Sequence, residues 1–304
     1  MIRGAREVPL APFPRPGPWD ATTQRSRIPH IEYATGAGAA SPDTPCHTPP
    51  MDRAAIRELE RFLDRAWPAR IVASGEGWAA RFSDGMHRRL NSASVCETAD
   101  PADTVARLER WYERHDAPPI FKLTAAAAPG FDAYLDHREY RIDARVSVMT
   151  GGLEPGSIPA PAGGARIEPS PTGAWLETFA TISGYGPERR RLLGDLLERI
   201  GSDAAYASVE RDRETIAVGM SVLLGDRLAI FEMATHPARR RQGHARSVLA
   251  RLLTDGRGRG ARTACLQVLV GNEPAERFYR AAGFEPHHDY WYRVAPEGLS
   301  TGPR

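Results

Sequence analysis

A glycine-containing turn before a helix is the segment of this sequence whose residue types most directly suggest chemistry. The segment runs from Met233 to Ala245, with a strand end, a proline turn and a helix that begins at Gly243. Helix starts leave backbone N–H groups unpaired and carry partial positive charge, so they suit phosphate groups. Arginines at 239–241 add charge at the same end. The segment predicts an anion site, although an arginine-rich surface turn before an ordinary helix fits the same residues.

A second stretch, Asn272 to Phe284, reads as a helix that closes on a glycine and leads into an aromatic strand start. The pattern residues of the two stretches are Arg240-x-x-Gly243-x-Ala245 and Asn272-x-x-Ala275-x-x-x-Tyr279-x-x-x-Gly283-Phe284. Together they resemble the acyl-CoA pyrophosphate motif and the later helix motif of the GNAT (GCN5-related) N-acetyltransferase superfamily. The resemblance covers residues 165–294 and includes the spacing of the motifs and the order of the preceding strands.

This resemblance implies a site for acetyl-CoA as a co-substrate. Pantetheine would lie between the strand that carries Met233 and Thr235 and the strand that carries Leu266 and Val268. Asn272 would hold the pantetheine or the first turn of its own helix. The pyrophosphate would bind the turn, whose cofactor-binding residues are Arg240, Arg241, Gln242, Gly243, His244 and Ala245.

The resemblance also implies direct acetyl transfer within a ternary complex, which needs an acid and a base. Tyr279 would protonate the departing CoA thiolate, whereas a packed aromatic beside Phe278 is the other interpretation of this residue. Glu232, on the strand before the turn, is the candidate base. His236 and His244 lie close to the same turn and are the alternatives.

No pattern typical of a metal site or a disulfide framework is present. Cys46, Cys96 and Cys265 are far apart and odd in number. Cys265 falls in the middle of a predicted strand, so we expect it to be buried and to form no covalent intermediate. His287 and His288 are adjacent and should point to opposite faces of a strand, so no shared metal ion is expected.

The second half of the chain has a predicted element order of β-α-α-β-β-β-α-β-α-β between residues 165 and 294. Strict apolar alternation at 216–224 indicates a half-buried strand, and Gly225-Asp226 indicates a two-residue hairpin turn. The order is typical of the α/β (α+β) class. With the resemblance it implies a GNAT fold, in which helices flank a mixed, mostly antiparallel sheet.

The first half, residues 51–152, is predicted to be a degenerate GNAT-like domain in a tandem two-domain arrangement. It has no glycine-containing turn of the kind that binds phosphate, and residues 131–140 resemble a degenerate version of residues 275–284. Residues 78–82 and 86–92 are predicted to form a hairpin.

Two roles are open for this half. It is either purely structural, or it borders the acceptor pocket through Trp78, Arg81 or Asn91.

The remaining segments are a tail and a linker. Residues 1–50 hold ten of the 26 prolines without apolar periodicity, which predicts a disordered tail. A translation start at Met51 fits the same pattern. Residues 153–164 are rich in proline and glycine and read as a linker before a catalytic domain at 165–304.

The composition excludes several classes of protein. The 304 residues carry a net charge of +2, from 40 basic and 38 acidic residues, which gives no reason to expect a nucleic-acid or membrane partner. No apolar run approaches the ~18 residues of a membrane span, and no secretory signal is present. We therefore expect a cytoplasmic protein. Lys122 is the only lysine, and we assign this skew towards arginine no function.

The sequence therefore predicts an N-acetyltransferase that transfers an acetyl group from acetyl-CoA to a primary amine. The acceptor is a small molecule or a peptide N-terminus, and neither its identity nor the oligomeric state follows from the sequence. A non-catalytic acyl-CoA-binding regulatory module is one alternative. Protein N-terminal acetylation is another, because residues 288–293 resemble the tail of ribosomal-protein acetyltransferases.

Overall fold

Eleven strands form one continuous sheet in the computed structural model, which describes residues 52–158 and 164–296. The elements of the first half are α1 (Arg53–Ala66), β1 (Ile71–Gly75), β2 (Trp78–Phe82), β3 (Ala93–Val95), α2 (Pro101–Glu113), β4 (Ile120–Thr124), α3 (Phe131–His137) and β5 (Arg141–Gly152). Those of the second half are β6 (Ala165–Glu168), α4 (Gly173–Ile182), α5 (Pro187–Ile200), β7 (Ala204–Arg211), β8 (Glu214–Leu224), β9 (Arg227–Thr235), α6 (His244–Gly258), β10 (Thr263–Leu269), α7 (Glu273–Ala281) and β11 (Glu285–Val294). The predicted tail, 1–50, and linker residues 159–163 lie outside the described residues.

Local sequence signals set the limits of the helices, and the helices predicted from apolar spacing are confirmed. α1 begins after Asp52, whose side chain accepts a hydrogen bond from the backbone N of Ala54 (2.9 Å), and ends just before the Trp67–Pro68 pair. α5 begins at Pro187, where the missing N–H of proline removes no helical hydrogen bond. Among the described helices, none has the length and apolarity needed to cross a bilayer.

The predicted hairpin of residues 78–92 is wrong in its second strand. β2 pairs instead with β1, which the sequence reading missed, and with the short β3. Residues 86–92 form a loop held by Asn91, whose Oδ1 accepts from the backbone N of Ser83 (2.8 Å) and whose Nδ2 donates to the carbonyl of His87 (2.7 Å). Because the amide side chain offers the backbone these partners, it competes with a strand ladder.

The two halves of the chain exchange their last strands. The strand order is β1-β2-β3-β4-β11-β5-β10-β9-β8-β7-β6. β5, from the first half, lies antiparallel between β10 and β11, and β11, from the second half, lies antiparallel between β4 and β5. Each half therefore completes its part of the sheet with a strand from the other half.

Helices cover both faces of the sheet. Neighbouring residues of a strand point to opposite faces, and Cys265 and Leu266 of β10 accordingly belong to different core clusters. α1, α4 and α5 pack on the Cys265 face, which we call the front face, and α6 packs on the opposite, back face. Burial raises the pKa of Cys265 to about 12, so the expectation of a buried cysteine is confirmed.

A buried ion pair lies where the two halves meet. Lys122 on β4 forms an ion pair with Glu60 on α1, and its Nζ lies 4.4 Å from the centre of the Tyr290 ring. The Nε2 of His288 on β11 lies 2.9 Å from Glu60 Oε1. Burial alone would raise the pKa of Glu60, but the Lys122 ammonium and the His288 hydrogen bond lower it to about 2. The carboxylate is therefore ionised in the folded protein and neutralises the only lysine.

The expectation that His287 and His288 point to opposite faces is wrong. The pairing of β11 with β5 shifts register between Pro286 and His288, and this bulge interrupts the alternation of side chains. The Nδ1 atoms of the two rings lie 2.8 Å apart. Within the described ranges, no group of three or more His, Cys, Asp or Glu side chains could hold a metal ion.

We predict that Glu60→Gln lowers the free energy of unfolding by about 3–5 kcal/mol, because it leaves the Lys122 ammonium buried without a counter-charge. Urea denaturation at pH 7 measures the change. Asp195→Asn, which removes an exposed ion pair with Arg191 on α5, is the control and should cost about 1 kcal/mol or less.

The wild-type protein should lose the same stabilisation as the pH falls through 4 towards 2. The pKa of Glu60 is lower in the folded than in the unfolded state, so the contribution is present above the unfolded pKa and disappears on acidification. Equal losses in the Glu60 and Asp195 variants at pH 7 would contradict this account.

Candidate active site

The parallel strands β9 and β10 pair at one end and diverge at the other. Their paired residues are 227–229 opposite 263–265, whereas β9 continues to Thr235 and β10 to Leu269. Backbone groups along the edges of such a gap can bind an extended ligand as a strand would. The gap opens between the two strands that the resemblance assigns to pantetheine.

A β-bulge in β9 changes the direction of the backbone at the edge of the gap. The register with β8 shifts between Phe231 and Ala234, so that Glu232 and Met233 together face the single residue Gly219. Glu232 has a left-handed φ of +51°, as the extra residue of a bulge requires. A Cβ on Gly219 would lie 2.4 Å from Met233 Sδ, so the glycine makes room for the Met233 side chain.

The turn after β9 leads into a helix start without a side-chain cap. A 3₁₀ turn at Pro237–Arg239 precedes Arg241 and Gly243, whose φ angles are +60° and +81°. The backbone N of Ser247 donates to the carbonyl of Gly243 (3.0 Å), so the N–H groups at 244–246 precede this first helical bond. No atom lies within 4 Å of the place where a Cβ on Gly243 would be. The turn therefore presents free N–H groups to open space.

Positive charge surrounds this helix start. Arg240 Nε donates to the carbonyl of Thr235 (3.4 Å), and Arg239 forms an exposed ion pair with Asp212 at 3.4 Å. Arg241 and Gln242 are exposed, and the first turn of α6 contains no acidic residue. The turn can therefore bind an anion without displacing a carboxylate of its own helix.

The two histidines named as alternative bases lie at this helix start. Burial and the nearby charges of Arg211 and Arg239 lower the pKa of His244, which is neutral at pH 7. His236 is exposed, and its backbone N donates to the carbonyl of Ile216 (2.8 Å).

α7 positions the candidate acid. The Asn272 Oδ1 accepts from the backbone N of Ala275 (3.3 Å), so this side chain holds the first turn of its helix, which is one of the two roles the resemblance implies. Tyr279 is half-buried, and its ring contacts those of Phe278 and Phe284 at 5.0 and 6.1 Å. Burial raises the pKa of Tyr279 to about 12, so the phenol is protonated at neutral pH.

The first half has a counterpart of the turn before α6, but an aspartate side chain of this half occupies its backbone N–H groups. α2 follows β3 as α6 follows β9, and β3 pairs with β4 in parallel. The Asp100 side chain accepts from the backbone N atoms of Ala102 (2.8 Å) and Asp103 (3.3 Å). The N–H groups that are free in α6 are therefore satisfied in α2.

The first half also has a counterpart of α7 that lacks the phenol. The backbone N of Tyr140 donates to the carbonyl of Leu135 (2.9 Å), as that of Phe284 donates to Tyr279 (3.0 Å). The second residue after each helix, Glu139 or Gly283, has a left-handed φ. Leu135 therefore stands where the second half has Tyr279, and this half lacks both chemical elements of the site.

Glu232 lies half-buried on the front face of the sheet, close to positive charge. Burial raises the pKa of its carboxyl, and the guanidinium groups of Arg89 and Arg189 oppose this rise without cancelling it. Burial, and then the charge of Glu232, raise the pKa of the Tyr185 phenol. A carboxyl with a raised pKa suits a general base better than a freely solvated one.

The three first-half residues named as possible borders of an acceptor pocket make contacts within their own half. Arg81 is buried and bonds to Asp64 and to the carbonyl of Trp67. Asn91 holds the loop described above, and Trp78 packs against the core under α2 and α3. The sequence did not predict the approach of Tyr185 and Arg189 to Glu232. Tyr185 lies in a loop and Arg189 in the first turn of α5, and neither position has a periodic pattern that would mark it.

Comparison with known proteins gives a family match that spans both halves. The family described as "Probable histone acetyltransferase Rv0428c C-terminal" matches residues 53–293. A relative, "Uncharacterized N-acetyltransferase YobR" of Bacillus subtilis (strain 168), is 23% identical over 242 residues, which cover 79% of this chain and 98% of the relative.

Solved structures show the same fold. A GCN5-related N-acetyltransferase from Kribbella flavida matches with a TM-score of 0.59 and 18% identity, over 81% of this chain and 97% of that one. A "Tandem GNAT protein from the clavulanic acid biosynthesis pathway (without AcCoA)" matches with a TM-score of 0.52 and 13% identity, over 67% of this chain and 70% of that one. The predicted GNAT fold is confirmed.

We predict that Gly243→Ala weakens CoA binding about 10-fold or more. Alanine in the left-handed conformation of Gly243 costs about 1–2 kcal/mol of conformational free energy, and its methyl group enters the space in front of the N–H groups. Isothermal titration measures the affinity. Gly258→Ala is the matched control, since this glycine lies on the same helix, also in open space, with an ordinary φ. The control should bind CoA normally, and equal affinities of the two variants would contradict the proposed site.

Proposed function

Because the chain belongs to the Rv0428c C-terminal family of acetyltransferases, whose fold is that of the GNAT superfamily, we propose that it transfers the acetyl group of acetyl-CoA to a primary amine. The main support for this proposal is the gap between β9 and β10, which lies next to the uncapped start of α6 because α6 follows β9 in the chain. Met233 and Tyr279 both pack against the back-face core beneath these strands, which brings the gap and the phenol to one region.

The free N–H groups and positive charges at the start of α6 support a pyrophosphate site. We assign the pyrophosphate to the backbone of residues 241–245, with Arg240 adding charge, and the pantetheine to the backbone of Met233 to Thr235. When bound, acetyl-CoA supplies a thioester whose carbonyl carbon can accept an amine. The second half of the chain performs the chemistry, because the first half fills its own helix start and has Leu135 in place of the phenol.

Tyr279 is proposed to give its proton to the sulfur as the carbon–sulfur bond breaks. Its raised pKa keeps the phenol protonated, so the donor is available over the whole working range of pH. Burial disfavours a free thiolate beside the phenol as it disfavours the phenolate, so the cost that it adds to loss of the phenol proton is offset at the sulfur.

Glu232 is proposed to take the proton that the amine loses as the carbon–nitrogen bond forms. The transfer needs a neutral amine, and a carboxylate of raised pKa is a stronger base than a solvated one. Its left-handed backbone places it at the bulge, where β9 leaves the ladder with β8.

We predict that Tyr279→Phe lowers kcat about 10²-fold or more, the usual contribution of a positioned acid, while the Kd for acetyl-CoA is unchanged. Release of the CoA thiol over a panel of amines measures turnover, and titration measures binding. Tyr134→Phe on α3, which removes a hydroxyl that accepts a hydrogen bond from Arg138, is the control and should leave both unchanged.

Two results would contradict the proposal. A wild-type protein that binds acetyl-CoA but never turns over would instead be the regulatory module considered from the sequence. Full activity in the Tyr279 variant would remove this residue from the mechanism.

We predict that kcat/KM of the wild type rises with pH through the pKa of Glu232, which lies above that of an ordinary glutamate. Below this pKa the carboxyl is protonated and accepts no proton, so the rate falls. Arg89 and Arg189 oppose the rise in pKa, while the Tyr185 phenol and the His87 ring beside them are neutral at pH 7.

Glu232→Gln should abolish this acidic limb and lower the plateau about 10²-fold. Glu214→Gln, at an exposed position on neighbouring β8, should keep the wild-type profile. An acidic limb that persists in the Glu232 variant would assign the ionisation to another group.

A further inference from the structure

Two arginines from opposite halves of the chain lie near Glu232 without a carboxylate partner of their own. Arg89 follows the 86–88 segment of the first half, and Arg189 lies in the first turn of α5. Arg89 lies over the ring of Phe231, the residue before Glu232, and Arg189 lies over the ring of Tyr185. Both charges oppose the rise in the pKa of the Glu232 carboxyl, yet within the described ranges neither arginine forms an ion pair. Their immediate sequence neighbours, by contrast, are paired with acidic side chains.

Arg89 is held by aromatic rings that leave its hydrogen-bonding edge free. Its Cζ lies 5.4 Å from the centre of the Trp67 ring and 5.4 Å from that of Phe231, the residue next to Glu232. Stacking engages the faces of a guanidinium, whereas its N–H donors lie in the plane. The indole Nε1 of Trp67, whose ring contacts Arg89, is buried and has no hydrogen-bond partner.

Arg189 is fixed by one hydrogen bond and retains a buried donor without a partner. Its Nη2 donates to the carbonyl of Met86 (2.7 Å), and its Cζ lies 4.4 Å from the centre of the Tyr185 ring. Its Nε is buried and unsatisfied. A buried donor without a partner is unfavourable, so the Nε of Arg189 favours an acceptor group beside it.

The charge of this cluster is unbalanced. The Tyr185 hydroxyl and His87 Nε2 lie 3.2 Å apart, and burial with the two guanidinium charges holds the pKa of His87 well below its usual range. The cluster therefore places two positive charges opposite one carboxyl, Glu232. It lies on the front face, whereas α6 packs on the back face, so the phosphates assigned to α6 do not reach it.

We propose that Arg89 and Arg189 bind an anionic oxygen group, a carboxylate or a phosphate, on the acceptor amine. The inference rests on the proposed function and names its substrate class: an amine that carries an anion, with the amine towards Glu232 and the anion towards the two guanidinium groups. The first half of the chain is then a specificity element as well as a structural one, because it supplies Arg89.

A panel of paired acceptors tests the proposal. Amino acids are compared with their α-amides, O-phosphoethanolamine with ethanolamine, and glucosamine 6-phosphate with glucosamine, with spermidine and short peptides as further members. We expect kcat/KM of at least one anionic member to exceed that of its neutral partner about 10-fold or more, and the pairs distinguish carboxylate from phosphate. Equal rates within every pair, or a preference for spermidine or for peptides with an amidated C-terminus and no acidic side chain, would overturn it.

Substitution of each arginine should remove this preference. Arg89→Gln and Arg189→Gln are each expected to raise KM for the anionic acceptor about 10- to 100-fold, with the Kd for acetyl-CoA unchanged. Arg89→Lys and Arg189→Lys retain the charge and should recover part of the loss. The neighbours Arg88→Gln and Arg190→Gln, which break the pairs with Asp143 and Glu177, are the controls and should keep the preference. Equal losses on anionic and neutral acceptors would overturn the assignment.

A binding measurement separates this inference from the proposed function. With CoA at saturation to fill the α6 site, inorganic phosphate or acetate should raise the Tm of the wild type saturably, and should not raise that of an Arg89→Gln/Arg189→Gln double variant. A wild-type shift without transfer to any amine would leave the anion site standing and refute the acetyltransferase. Transfer without an anion preference and without the shift would refute the anion site alone.

Discussion

The antiparallel pairing of β5 with β11 is the interaction on which the rest of the structure depends. These strands end the two halves of the chain, and each lies beside the parallel-paired strand of the other half. Where β10 diverges from β9, its other edge remains paired with β5 along its whole length. The gap proposed to accept the co-substrate is therefore bordered by a strand held in place by the half of the chain that lacks the proposed catalytic groups.

The two halves differ in a few local contacts rather than in their plan. An aspartate caps the helix start in one half, and a glycine leaves it open in the other. A leucine occupies one helix end and a tyrosine the other, with the same backbone hydrogen bond closing both. The absence of these groups from the first half leaves its strands paired in the same sheet, so this half can be structural without the groups proposed for catalysis.

The sequence predicted the elements that local patterns control, and missed those that depend on contacts between distant segments. The helices from Ile56 and Leu59 onwards, and the glycine turn at Gly243, followed from apolar spacing and turn residues. The exchange of β5 and β11 has no local signal, because the apolar pattern of a strand does not show which half of the sheet it pairs with. The loop around Asn91 depends on one side chain bonding to the backbone, and the approach of Arg89 and Arg189 to Glu232 depends on the packing of α5 beside the first half.

The buried ion pair of Lys122 has a consequence for an enzyme that handles activated acetyl groups. Thioesters acylate accessible amines even without catalysis, and surface lysines are the usual targets because their neutral form is a good nucleophile. In this chain every other basic position apart from histidine is arginine, whose guanidinium is always charged and hardly nucleophilic. Its one lysine is 4% exposed, and a raised pKa keeps it protonated beside Glu60. In the folded protein, the only lysine side chain is therefore buried, charged and closed to acylation by a thioester.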